Sequence, residues 1–212
     1  MPQLLVIQLT YSTGPTPDDM KYLKGGKGRF ANFNVKQWKG TPPPDNSSNK
    51  VKQELDYLAS IKPNLEFIES CDDIMGYFQS YFEDKPANFP DRLVGKLLRT
   101  SAPVVSELKW HYNRPRPYQL AKYHDCKLGA KKLDSMKTPA YPSGHSTQAV
   151  LVGQVLGDMF PEYREDLLLL AEDISMSRLV AKAHYPTDSK FGEDLGYALY
   201  KHYKKEKSNE TL

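Results

Sequence analysis

The sequence predicts an all-α fold: a bundle of about six helices behind an irregular N-terminal lead-in. Three observations carry this. From Val51 onward, apolar residues recur at three- and four-residue spacing, the period of a helix with one buried face. Strand-type alternation is almost absent, and there is no internal repeat. Pro63, Pro115 and Pro117 fall where periodic stretches end.

The 212 residues suffice for one domain with a sizeable core, so residues 1–212 are read as a single domain. Charged residues are 26% and hydrophobic residues 39%, the balance of a globular chain. A net charge of +3 is too small to argue for nucleic acid. The lysine-rich run from Lys201 to Lys207 reads as a solvated helix end. Cys71 and Cys126 lie far apart, which fits free thiols in a reducing compartment. No stretch approaches the ~20 apolar residues that span a bilayer. No basic leader precedes the apolar segment at Leu4–Ile7, so the expectation is a soluble, cytoplasmic protein.

In chain order, Leu4–Tyr11 reads as a short strand or extended arm. Residues 12–46, with Gly25-Gly26 and Pro42-Pro43-Pro44, read as the lead-in, more an inert surface wrap than a lid over a site. Val51, Leu55, Leu58 and Ile61 define a first helix ending before Pro63. Leu65, Ile68, Ile74, Tyr77, Phe78 and Tyr81 define a second, ending near Asp84. Leu93 to Leu108 form a third, interrupted near Pro103, with Lys109 at its end; Pro115 and Pro117 stop it. Residues 118–140 read as a polar loop. The fourth helix opens at Ser143 and runs to about Met159, the fifth from about Glu162 to Ala181, and the sixth from near Pro186 to about Lys204.

Three stretches in the second half carry chemistry. Lys109 and Arg116-Pro117 share one stretch, with six residues between the two cations. Pro142-Ser143-Gly144-His145 follows after 24 intervening residues. After 31 more comes Ser177-Arg178, then His184 and Asp188. Asp188 stands four residues after His184, so on a near-helical path its carboxylate reaches the imidazole. A carboxylate on one ring nitrogen fixes the tautomer and leaves the other free to attack. Lys109, Arg116 and Arg178 supply three cations suited to a phosphate-like oxyanion. Ser143 and Gly144 stand at a predicted helix start, where free N–H groups favour an anion. Arg178 and His184 cannot share a helix face, being about 9 Å and roughly 240° apart on a regular helix. Either Arg178 reaches along the axis or the helix breaks near Ala183, and Pro186 favours the break.

Together, Lys-x6-Arg-Pro, Pro-Ser-Gly-His and Ser-Arg-x5-His-x3-Asp resemble the signature of the type 2 phosphatidic acid phosphatase superfamily. Class A acid phosphatases and vanadium haloperoxidases belong to that superfamily. The signature covers residues 109–188. The resemblance implies a helical bundle with its site at one end. It also implies a metal-independent phosphatase acting on soluble phosphomonoesters or nucleotides, with no cofactor. In that scheme His184 is the nucleophile, Asp188 orients it, and His145 is the general acid. Lys109, Arg116, Ser143, Gly144 and Arg178 bind the phosphoryl group. Arg114, outside the signature, is a candidate for a second phosphate or the leaving group. His111, His124 and His202 are read as surface or structural residues. Two alternatives stay open: a vanadium-dependent haloperoxidase, which uses the same residues, and a non-catalytic phosphate-binding module. The sequence leaves the oligomeric state and the substrate unnamed.

Overall fold

A computed structural model describes residues 6–130 and 133–209. Nine α-helices and no strand occur among them: α1 Pro17–Leu23, α2 Asn49–Ser60, α3 Leu65–Ser70, α4 Ile74–Tyr81, α5 Asp91–Tyr112, α6 Pro117–Leu120, α7 Gly144–Met159, α8 Arg164–Val180 and α9 Pro186–Asn209. The all-α class holds, but six helices is too few.

Each extra helix has a local cause. α1 lies in the expected irregular lead-in. Thr16 caps it, Asp19 completes a capping box and Pro17 opens it, yet none of its residues is buried. With no buried face it leaves no apolar period in the sequence. The expected second helix divides into α3 and α4, because Asp73 turns its carboxylate onto Met75 N–H and starts a new helix. α6 is one turn opened by Pro117, within the expected loop. The expected interruption at Pro103 does not occur, and α5 is continuous through it. Proline in a helix interior costs about 3 kcal/mol. Val94, Leu97, Val104, Val105 and Leu108 are all buried around it, and burying such side chains contributes roughly 1.5–3 kcal/mol each. No strand forms over residues 6–11; Leu4 and Leu5 lie outside the described residues. Asn46 holds that segment instead, donating to the carbonyls of Ile7 and Leu9 at 3.2 and 2.8 Å.

α7 is the centre of the bundle and packs on α5, α8 and α9. Its buried Leu151, Val152, Val155 and Leu156 meet Leu167 and Ile174 of α8 and Leu195 and Leu199 of α9 in one core. The α7–α9 approach depends on two glycines. A Cβ on Gly192 would stand 2.6 Å from the Ser143 carbonyl, and one on Gly196 would stand 2.4 Å from that of Thr147. This close seam sets the start of α9 against the start of α7. A hydrogen bond from Ser143 N–H to the Asp188 carbonyl (3.0 Å) crosses it. The lead-in wraps α5, tied by Lys27 and Lys39 to Glu107 at 2.9 and 2.8 Å.

Candidate active site

Four chain turns meet at one end of the bundle. Asn113, with φ +46°, ends α5 and returns its N–H to the Lys109 carbonyl at 2.8 Å. That leaves Lys109 on the last turn of α5 and Arg114 and Arg116 in the strap that follows. Ser143 caps α7, accepting from Ser146 N–H, so Gly144 and His145 form the first turn. Arg178 lies in the last turn of α8 and Asp188 in the first turn of α9.

The break expected near Ala183 occurs at residues 181–183. Ala183 N–H donates to the Arg178 carbonyl and Lys182 N–H to that of Leu179, both at 3.0 Å. These are the two bonds of a Schellman ending, with Lys182 in the left-handed position at φ +57°. Lysine is strained there relative to glycine, and its ammonium is anchored on the Ile61 carbonyl at 2.6 Å. The chain reverses and delivers His184 from the turn rather than from the helix, which resolves the rotation mismatch with Arg178. Pro186 at the first position of α9 and Asp188 at the third then make a helix start, with Tyr185 N–H donating to Asp188 at 2.9 Å.

His184 is 2% exposed and held on both sides. Its Nδ1 lies 3.4 Å from Asp188 Oδ2, within ion-pair reach but too long or too bent for a hydrogen bond. Its Nε2 lies 2.9 Å from an Arg116 N–H. A guanidinium only donates, so Nε2 carries the lone pair and Nδ1 carries the hydrogen, facing Asp188. Burial, then the Arg116 charge, hold the imidazole well below its ordinary value of 6.5, and contact with Asp188 only partly opposes them. His184 is therefore neutral. Burial pushes the Asp188 carboxyl up, but the Arg114 charge and the His184 contact outweigh it and hold the group at about 2.

The cations sit at different depths. Arg116 is fully buried and also donates to the carbonyls of Thr138, Ala183 and Ser135 at 2.8, 2.8 and 2.7 Å. Burial lowers its pKa to about 10. Lys109 donates to the Pro139 carbonyl at 2.6 Å, and burial, then Arg116, hold it well below its ordinary value. Arg178 is fully buried, donating to Asp72 Oδ1 at 2.5 Å and to the Ile68 carbonyl at 3.2 Å. Asp72 also reaches His145, whose Nε2 donates to the Asp72 carbonyl at 3.0 Å and lies 3.6 Å from its carboxylate. Burial and then Arg178 lower His145 to about 4. Three buried cations around neutral imidazoles suit a multiply charged oxyanion. Among the described residues, no cluster of three or more His, Cys, Asp or Glu stands close enough to hold a metal ion.

A cleft of about 760 Å³ opens over this end. Lys109, Gly144, His145 and His184 line it; Arg116, Ser143, Arg178 and Asp188 stand behind its wall. The Ser143 hydroxyl is buried and accepts from that of Ser146 at 2.8 Å. A Cβ on Gly144 would rest in ordinary contact with Val105 and the Lys109 stem, 3.5 and 3.7 Å away. Two expectations need correction. The lead-in does more than wrap the surface, because Thr16, Asp18, Asp19 and Tyr22 line the same cleft, as does Tyr11 of the segment before it. Arg114 does not face it: it is 2% exposed, behind Asp188, donating to Asp188 Oδ1 at 2.5 Å and stacked 3.9 Å over the Tyr185 ring. Its second carboxylate partner, Glu54, falls outside the three motifs because it comes from α2. The one sequence signal for Glu54 is a charge within the stripe of Val51, Leu55 and Leu58, all of which are buried. His111, His124 and His202, expected to be structural or on the surface, do not line the cleft.

Over 93 residues, 44% of this chain, the sequence is 30% identical to a non-specific acid phosphatase of Salmonella typhimurium. It is 29% identical over 101 residues, 47% of this chain, to an acid phosphatase of Zymomonas mobilis. The matched stretches span only 37% and 38% of those proteins. The family model of the PAP2 superfamily matches residues 93–208, more than half of the chain and all of its signature residues. With that match laid over a cleft that gathers Lys109, His145 and His184, the chain belongs to the type 2 phosphatidic acid phosphatase (PAP2) superfamily.

Proposed function

We propose that the chain is a metal-independent phosphatase that hydrolyses small phosphomonoesters or nucleotides through a phosphohistidine on His184. The observation that carries this reading is the neutral His184, with Nε2 as its lone-pair nitrogen among buried cations and Nδ1 turned to Asp188. The acid phosphatase names of its relatives support the substrate class.

In the first step Nε2 attacks phosphorus and the bond from phosphorus to the leaving oxygen breaks. His145, protonated in the complex, gives its proton to that oxygen. Arg116 shifts its N–H from Nε2 to a phosphoryl oxygen, so the nucleophile is released as the substrate is bound. Lys109, Arg178 and the N–H groups at the start of α7 take up the remaining charge, with Ser143 holding that helix start in place. Asp188 stabilises the imidazolium that forms. In the second step His145 removes a proton from water, the water oxygen attacks phosphorus, and the phosphorus–nitrogen bond breaks.

Release of p-nitrophenolate from p-nitrophenyl phosphate in excess EDTA tests the reading. Turnover that survives chelation supports it. Loss restored by a divalent metal sinks the metal-independent scheme, and no turnover in any buffer leaves a phosphate-binding module. No helix among the described residues is long and apolar enough to cross a membrane. The cytoplasm is the proposed location, and cell fractionation tests it.

A further inference from the structure

Behind Asp188 lies a buried charge cluster that the signature does not include. Arg114 stands between two carboxylates: Asp188 at 2.5 Å and Glu54 at 3.4 Å. All three side chains are at most 2% exposed. Thr187 fastens the group. Its N–H donates to Glu54 Oε1 at 2.8 Å and its hydroxyl to Oε2 at 3.2 Å, while Arg114 donates to that hydroxyl at 2.8 Å. Every partner of Glu54 is a donor, the environment of an ionised carboxylate.

Stability does not explain this arrangement. Replacing a buried ion cluster by apolar side chains is often neutral or stabilising. Here the surroundings are already apolar: Val51, Leu55, Leu58 and Tyr185 are all 0% exposed in one cluster. The charge count does explain it. Arg114 alone would cancel Asp188, and His184 would face a neutral pair. With Glu54 included, the cluster carries one net negative charge. Phosphorylation of Nε2 while Nδ1 keeps its hydrogen makes the imidazole cationic, and a net negative neighbour in a low-dielectric interior favours that state.

We propose that Glu54 is a positioning residue for the phosphotransfer step. It acts through Arg114 and Asp188 to leave a net negative charge behind His184, and a neutral cluster would not do so. Glu54 comes from α2, outside the residues that match the family model. The docking of α2 is thus part of the catalytic apparatus rather than an accessory. The proposal rests on His184 being the nucleophile.

The test is a charge-rescue experiment with p-nitrophenyl phosphate. Glu54→Gln keeps the shape and removes the charge. It should slow phosphoenzyme formation by roughly tenfold to a hundredfold, with KM within about twofold of the native protein. Glu54→Gln/Arg114→Gln returns the net charge to one negative and should recover most of that rate, although it removes a second buried partner. A merely structural role predicts the reverse order, with the double variant the slower. Native rates in Glu54→Gln, or a double variant no faster than it, overturn the proposal. If Glu54→Gln alone does not fold, the double variant decides. A phosphoenzyme forming within about tenfold of the native rate supports the proposal, and a slower one overturns it. Absence of turnover in the native protein instead overturns the phosphatase reading, so the two failures are distinct.

Discussion

An Arg116 N–H lies 2.9 Å from Nε2 of His184, so a cation assigned to phosphate holds the nitrogen assigned to attack it. Nε2 accepts from Arg116 in this structure, and the proposed mechanism requires an oxyanion to draw Arg116 away before Nε2 attacks. The same contact fixes the tautomer and helps keep the ring neutral.

Activity should fall as pH rises. His145 is held at about 4 by burial and then by Arg178. A general acid must carry its proton, so kcat/KM should decline as pH rises through about 4. His184, held well below 6.5 by burial and then by Arg116, puts no limb at the ordinary imidazole value. A bound phosphoryl dianion raises the His145 pKa, so the kcat limb should lie at higher pH than the kcat/KM limb. Rate profiles from about pH 3 to about pH 8 check this; a kcat/KM that climbs across the range removes His145 as the acid.

Stability should move the other way. Both imidazoles bind protons less readily folded than unfolded, so the unfolded chain holds more protons between about pH 4 and about pH 6.5. Stability is therefore lost as pH falls through that window. Asp188, held at about 2, adds its own loss from about pH 5 downward, as the unfolded carboxyl takes up protons that the folded one refuses. Thermal unfolding should give a lower Tm at about pH 4.5 than at about pH 7, and His145→Gln should narrow the difference.

The two histidines should separate by leaving group. His184→Ala should form no phosphoenzyme with any substrate. His145→Ala should spare p-nitrophenyl phosphate more than an alkyl phosphate, because only the poor leaving group needs the proton. It should also hydrolyse its intermediate slowly. Mass spectrometry after an acid-free quench should find phosphate on His184 in the His145→Ala protein; phosphate on another residue would reassign the nucleophile.

Orthovanadate should inhibit competitively, and Asp72 should oppose it. An incoming oxyanion competes with the Asp72 carboxylate for Arg178, which it now holds at 2.5 Å. Arg178→Ala should weaken vanadate by roughly tenfold to a hundredfold, the worth of a charge-assisted hydrogen bond. Asp72→Asn should tighten it. Inhibition constants unchanged in Arg178→Ala would take Arg178 out of the site.

The α7–α9 seam should tolerate no side chain. Gly196→Ala places a Cβ against the Thr147 carbonyl and Val150, at 2.4 and 2.9 Å, where backbone must move. A loss of about 1–3 kcal/mol is expected in urea unfolding. Gly40→Ala, whose Cβ meets nothing within 4 Å, should stay within about 0.5 kcal/mol of the native protein.

The helical class and the identity of the signature residues are legible in the amino-acid sequence. Apolar period and chemical motif are local properties, written in residue spacing. Lys109, Arg116, His145, Arg178, His184 and Asp188 can all be read in this way, as can the need for a chain break between Arg178 and His184. Which of them face the cleft, and what stands behind them, depends on packing. α1 is invisible in the sequence because it buries nothing, yet it walls the cleft. Pro103 reads as a break because its local cost is visible and the packing that outweighs it is not. Glu54 and Asp72 come from α2 and the α3–α4 turn, far along the chain from Arg114 and Arg178. A charge pair is fixed by distance in space, and only the packing of α2, α3 and α4 against the end of the bundle brings those carboxylates to their cations.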